Sequence, residues 1–319
     1  MTQTSPETLP STAASSQVAA DPTLPLQDRL ARISAGWPSE APGPGTAIVD
    51  DARGAVAELL SALEAGDVRA AVPDETAPGG WRAQAWVKAG ILLGFRLPGM
   101  TEHREGPIFA ARDRSAYWVV DILSGSEARH ADASGSPWRI VPGGTTVRTG
   151  AHLEPGVTIM PPSYVNVGAW IGRGTMVDSH VLVGSCAQVG SGVHLGAGTQ
   201  IGGVLEPPGA RPVVVEDDAF VGGNCGLYEG VVVGRGAVIG AGVVLTGQGR
   251  LIDLVNEREL TGTPEEPLLV PPGAVVVPGT RPAAGGFARE RGISLAVPVI
   301  VKQRDEGTAA RVALEDALR

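Results

Sequence analysis

Through the middle of this 319-residue chain one aliphatic side chain returns at every sixth position. Val141, Val147, Leu153, Ile159, Val165, Ile171, Val177, Val183, Val189, Leu195 and Ile201 keep the count without a break. After the stretch LEPPGARP it resumes at Val215, Val221, Leu227, Val233, Ile239 and Leu245. A helix repeats every 3.6 residues and a two-faced strand every two, so neither carries this pattern. A chain that turns a corner after each short strand does. Three hexapeptides close one triangular coil, and the aliphatic residue of each points into the prism, stacked on its counterparts one coil away. The pattern predicts a mainly β fold, a left-handed parallel β-helix over residues 138–250, with loop 205–212 at the interruption. The glycine content fits: 45 residues, many just after the aliphatic position, where tight corners call for positive φ. Collagen is excluded because glycine does not recur every third residue.

The flanks read differently. Residues 1–24, rich in Ser, Thr, Pro and Ala, read as a disordered tail. Residues 25–137 read as an α-rich N-terminal domain and linker. DDARGAVAELLSALEAG spaces Val56, Leu59, Leu60 and Leu63 as one helix face and stops at Gly66, a C-terminal glycine cap. VRAAV and WRAQA read as short strands, AWVKAGILLGFRL as a second buried helix, and residues 98–137 as linker. Residues 251–319 read as a small C-terminal cap: a hairpin-like extension, the strand ISLAVPVIVKQ and the terminal helix RVALEDALR.

A formal charge of −9 argues against a nucleic-acid partner, since phosphate binding needs a basic surface. Two cysteines, Cys186 and Cys225, imply no disulfide framework. The first residues lack the basic and apolar regions of a signal peptide, and no apolar run is long enough to span a bilayer. These features predict a soluble, cytoplasmic protein with no membrane partner.

A hexapeptide prism by itself suits acyl transfer from coenzyme A or a purely structural role. RIVPGG (139–144), PSYVNVGAW (162–170), GTMVDS (174–179), VGSCAQVG (183–190), VHLGAG (193–198) and IGGVLEP (201–207) sharpen the choice. In this order they resemble the tetrahydrodipicolinate N-succinyltransferases, and the likeness covers about two-thirds of the chain. It implies a homotrimer with sites between subunits, succinyl-CoA as cosubstrate, and a small dicarboxylate acceptor, L-2-tetrahydrodipicolinate, whose nitrogen is succinylated. It also implies that Arg139 binds a substrate carboxylate, as a guanidinium does through two hydrogen bonds, and that Asp178 of TMVD meets the substrate nitrogen as acceptor or base. The family's second acid falls on Gly226 here. Glu229, three residues on, is the candidate replacement, and this departure leaves open an acceptor such as ornithine.

For the CoA arm the small residues Gly223, Gly240 and Ala241 are candidates, with Lys302 at a phosphate. His152, His180 and His194 lack the spacing of a zinc site, so no metal is expected. Cys186 has no catalytic partners in view and reads as a small buried thiol.

Overall fold

The structure is a computed structural model that describes residues 24–105, 109–119, 138–305 and 307–308. Its centre is a parallel β-helix of two-residue strands on three faces. The first face holds Arg139–Ile140, Thr158–Ile159, Met176–Val177, His194–Leu195, Phe220–Val221 and Val238–Ile239. The second holds Thr146–Val147, Tyr164–Val165, Leu182–Val183, Gln200–Ile201, Gly226–Leu227 and Val244–Leu245. The third runs from His152–Leu153 through Trp170–Ile171, Gln188–Val189 and Val214–Val215 to Val232–Val233 and Leu269–Val270. Each pairing brings aliphatic residues of adjacent coils into register, for example Val177 with Ile159 and Leu195. These side chains form one continuous buried column. At most corners the residue three places after the aliphatic one takes a left-handed backbone. Gly174 and Gly192 serve there, and so does Asn224, whose residue type tolerates that region.

Two details correct the sequence reading. Ile140, not Val141, pairs with Ile159, so the first coil holds one residue more than the later ones. Both positions are aliphatic, which hid the offset. The prism also does not end at residue 250. After an antiparallel excursion, Arg250–Asp253 against Arg258–Thr261, it resumes in register where Val233 meets Val270 and Ile239 meets Val276. Asp253 closes that excursion, accepting hydrogen bonds from the amides of Val255 and Asn256 and from Arg258. Strand Ala274–Pro282 then leaves the prism and pairs with Ser294–Gln303. The terminal helix expected at 311–319 and the tail to residue 23 lie outside the described residues.

Among the described residues the N-terminal domain holds three α-helices: α1 (Leu26–Gly36), α2 (Ala47–Ala65) and α3 (Ala85–Arg96). Gly66 ends α2 at φ 84°, and a Cβ there would lie 2.7 Å from the His152 ring, so both conformation and crowding select glycine. Strands Ala71–Pro73 and Trp81–Ala83 pair as a short ladder. The region read as linker holds a second antiparallel pair, Met100–Glu105 with Phe109–Arg114. Tyr117 follows it into the core, stacked on Phe95 at 4.3 Å and bonded to the Ile91 carbonyl. The helices do not keep a separate core. Their buried cluster includes Val167 and Cys186, which belong to the prism's corner between second and third faces.

Candidate functional site

Asp178 directly follows the inward Val177, which places it at the corner between first and second faces. It is half-buried there, and its Oδ1 accepts the Ser179 amide at 2.7 Å. Successive coils set Gly196, Gly222 and Gly240 in the same row. The next row reads Ser179, Ala197, Gly223 and Ala241. Three coils from Asp178 to Gly240 make a track of about 14 Å. Beyond Asp178 the two rows hold only serine, alanine and glycine. Packing alone demands part of this smallness, because a Cβ on Gly196 would lie 2.7 Å from the Gly223 amide and one on Gly222 2.6 Å from that of Ala241.

The amides along this corner set it apart. At the corner between third and first faces, the equivalent amides of Arg173, Ser191 and Arg235 donate to Glu154, Asp217 and Glu216. Along the Asp178 corner, the Ala197, Gly223 and Ala241 amides donate to no acceptor among the described residues. A row of outward N–H groups beside a carboxylate suits a ligand that carries amide carbonyls and a reacting amine.

Arg139 is exposed on the first face, in register with Thr158 and, one coil further, Met176. It therefore stands about 10 Å across the sheet from the Asp178 strand. Lys302 lies on the strand beyond that face, opposite Val275, and is paired to Asp305 at 2.7 Å. Asp178, Gly223, Gly240 and Ala241 thus share one corner, with Arg139 and Lys302 on the face beside it.

Glu229 does not join them. It follows Leu227 at the corner between second and third faces, exposed, with φ 55°. Within one chain a whole prism face separates it from Asp178. It borders a cavity of about 680 Å³ whose walls include Glu206, Arg211, Tyr228, Glu229, Gln248 and Pro267, a volume in the range of small-molecule sites. Gly226 is buried under the Tyr228 ring. A Cβ on it would lie 2.5 Å from the Tyr228 Cε2, so this chain has covered the spot where the resemblance puts a second acid.

Sequence reading missed the cavity and the buried cations around it. Arg211 donates from Nε to the Gly230 carbonyl at 3.1 Å and from Nη2 to Pro267 at 3.2 Å, and it is also bonded to the Pro78 carbonyl. Lys88 of α3 is fully buried. Its position inside the apolar run AWVKAGILLGF was the available signal. Arg69 lies 3.9 Å over the Trp170 ring and donates to Gln188 at 3.0 Å, and burial lowers its pKa to about 10. This contact seats the N-terminal domain on the third face.

The histidines go separate ways. His152 bonds the Glu64 carbonyl at 2.8 Å and stacks on Trp170, His194 stacks on Phe220, and His180 is exposed at the Asp178 corner. Among the described residues no cluster of three His, Cys, Asp or Glu gathers to hold a metal. No described helix is long and apolar enough to cross a membrane. Cys186 is fully buried, which pushes its thiol up to about 12. Cys225 is buried too, its Sγ 3.2 Å from the Gly240 carbonyl.

Stacked hexapeptide coils place the chain in the hexapeptide-repeat class, and the carboxylate and open amides along one corner are compatible with acyl transfer. Comparison with known proteins narrows it. Residues 31–97 match the family described as tetrahydrodipicolinate N-succinyltransferase N-terminal, and residues 212–247 match the hexapeptide repeat of succinyl-transferase. The chain is 40% identical over 289 residues to the 2,3,4,5-tetrahydropyridine-2,6-dicarboxylate N-succinyltransferase of Methylorubrum populi, covering 90% of this chain and 96% of that protein. It is 38% identical to the protein of the same name from Caulobacter vibrioides, covering 92% of this chain and all of the relative. This chain belongs to the 2,3,4,5-tetrahydropyridine-2,6-dicarboxylate N-succinyltransferase family.

Proposed function

We propose that the chain transfers the succinyl group of succinyl-CoA to the nitrogen of L-2-tetrahydrodipicolinate, giving N-succinyl-2-amino-6-oxopimelate for diaminopimelate and lysine synthesis in the cytoplasm. The observation that carries this reading is Asp178, a half-buried carboxylate at the foot of a corner whose row continues as Gly196, Gly222 and Gly240. Water adds to the ring imine and leaves a nitrogen with a free lone pair. That nitrogen attacks the thioester carbonyl, the new C–N bond forms, and the C–S bond breaks. Asp178 takes the proton from nitrogen and the departing thiolate receives it. The carbinolamine C–N bond then breaks, its hydroxyl proton passes to the amide nitrogen, and the carbon that carried the hydroxyl becomes the ketone. Arg139 holds one acceptor carboxylate. The open amides at Ala197, Gly223 and Ala241 receive the CoA arm beside Gly240, and Lys302 faces its phosphates.

One chain cannot place Glu229 beside Asp178, because they occupy different corners. In this reading the working unit is a homotrimer. Glu229 approaches the Asp178 corner of a neighbouring copy and supplies the second carboxylate, and the cavity beside it receives part of the bound acceptor. Sedimentation of the purified chain is expected to give three times the chain mass.

The test is release of CoA thiol from succinyl-CoA with tetrahydrodipicolinate as acceptor, alongside acetyl-CoA, ornithine and aminopimelate. Asp178→Asn keeps the bond from Ser179 but cannot take a proton, and kcat should fall by about 10²–10⁴. Turnover of ornithine in preference to tetrahydrodipicolinate would reject the acceptor. An Asp178→Asn chain with undiminished kcat would reject the mechanism.

A further inference from the structure

Lys88 presents an unusual arrangement for a buried ammonium. Its side chain has no exposure, and among the described residues no carboxylate pairs with it. Its Nζ lies 2.6 Å from the carbonyl of Ala210 and 3.5 Å from that of Pro207. Both carbonyls belong to segment 204–211, which interrupts the six-residue count and walls the cavity beside Glu229. A desolvated cation needs strong acceptors, and here every acceptor comes from one loop of another part of the fold. At the far end of the same segment Arg211 repeats the device, its guanidinium bonded to the carbonyls of Pro78, Gly230 and Pro267. Within the segment itself, backbone bonding amounts to one turn, the Ala210 amide to the Pro207 carbonyl, while the Val204 amide reaches Ser185 at 3.3 Å. The loop is therefore tied to its surroundings through two cations, its own Arg211 and Lys88 on a helix of the N-terminal domain.

We infer that Lys88 is a positioning residue: from α3 it fixes segment 204–211 as a rigid wall of the cavity beside Glu229, so that the N-terminal domain presets the binding site. The inference rests on the proposed role of that cavity in holding the acceptor. A wall that is in place only part of the time makes only that fraction of molecules competent, which raises the apparent dissociation constant in inverse proportion. Loss of the tether should therefore raise KM for the acceptor and leave kcat at saturation nearly unchanged, since Lys88 touches no reacting atom.

Lys88→Met keeps the stem and removes the donors, leaving the Ala210 carbonyl without its partner while the Pro207 carbonyl keeps the Ala210 amide. Lys88→Arg retains a cation with donors and should restore much of the effect. Loop order is read independently of turnover by a nitroxide on Gly209→Cys. Gly209 is exposed, and a Cβ added to it would meet nothing within 4 Å. The label competes with no accessible native thiol, because Cys186 and Cys225 are buried. The expected spectrum is immobilised in the chain with Lys88, mobile in Lys88→Met, and largely immobilised in Lys88→Arg. KM for the acceptor should rise about tenfold in Lys88→Met, the equivalent of one buried acceptor left unpaired, with kcat within about threefold.

A mobile label in the chain that retains Lys88 overturns the inference without any variant at position 88, so a Lys88→Met chain that fails to fold does not shelter it. An immobile label in a folded Lys88→Met chain overturns it as well. A loop that loosens while KM stays unchanged overturns the link to binding and leaves the proposed reaction intact. Absence of turnover in the chain with Lys88, beside an immobile label, refutes the proposed reaction instead, and the spectra still decide the tether.

Discussion

Gly226 offers a quantitative test of how this chain rebuilt the corner where its resemblance expects an acid. An added Cβ would lie 2.5 Å from Cε2 of Tyr228 and 2.9 Å from its Cζ and Oη. Ordinary contact is about 3.5 Å, so the ring must retreat by about 1 Å. Because the obstruction is the far end of a side chain, the ring can yield. An off-rotamer shift costs about 0.5–1.5 kcal/mol, with some lost packing besides. Gly226 does not have positive φ, so alanine fits the backbone and removes unfolded-state entropy worth about 0.4–1 kcal/mol. Gly226→Ala should thus destabilise by about 1 kcal/mol or less in the natural background. In a Tyr228→Ala background the same change should become stabilising by a few tenths to about 1 kcal/mol. The difference, a coupling of about 1–2 kcal/mol, is read from denaturant unfolding of the four chains in a double-mutant cycle. Equal effects of Gly226→Ala in both backgrounds would refute the claim that the Tyr228 ring occupies this site.

Two further outcomes follow from buried groups. Burial holds the His152 pKa below its ordinary 6.5, against the opposing pull of the Glu64 carbonyl and the Glu154 charge. As pH falls below 6.5 the unfolded chain binds the proton first, so stability declines from there down to the folded pKa and then levels. Melting temperature should drop between pH 7.5 and 5, and His152→Gln should flatten that drop. A thiol reagent at pH 8 should leave Cys186 of the native chain unmodified, since its thiol is fully buried and pushed up to about 12. Reaction should appear only on unfolding, and fast labelling of Cys186 in the folded chain would contradict its packing.

The prism was legible because each strand must send one aliphatic side chain inward, and that demand writes a period of six. The interruption showed for the same reason, since the sixth position after Ile201 falls on Pro207 rather than on an aliphatic residue. The first coil was misjudged where Ile140 and Val141 are both aliphatic and pattern alone cannot choose between them. The strand pair at 100–114 escaped notice because charged residues dominate TEHRE and ARDR and hide any apolar alternation, although Gly106 and Pro107 between them form a turn dipeptide. Corner assignments were latent in the count: Asp178 follows a first-face residue and Glu229 a second-face one, which already separates them. Lys88 and Arg211 needed the folded structure, because a backbone carbonyl partner leaves no trace in the sequence of the segment that supplies it.

The shared packing of Val167 and Cys186 with the helices bears on how the chain can be divided. Severed from the first hundred residues, the coils would show water an uncovered apolar strip around those two side chains, and the helices would lose the floor they rest on. Neither fragment is a self-sufficient module. Shuffling this helical segment onto another hexapeptide scaffold would require transplanting the matching edge of the prism with it.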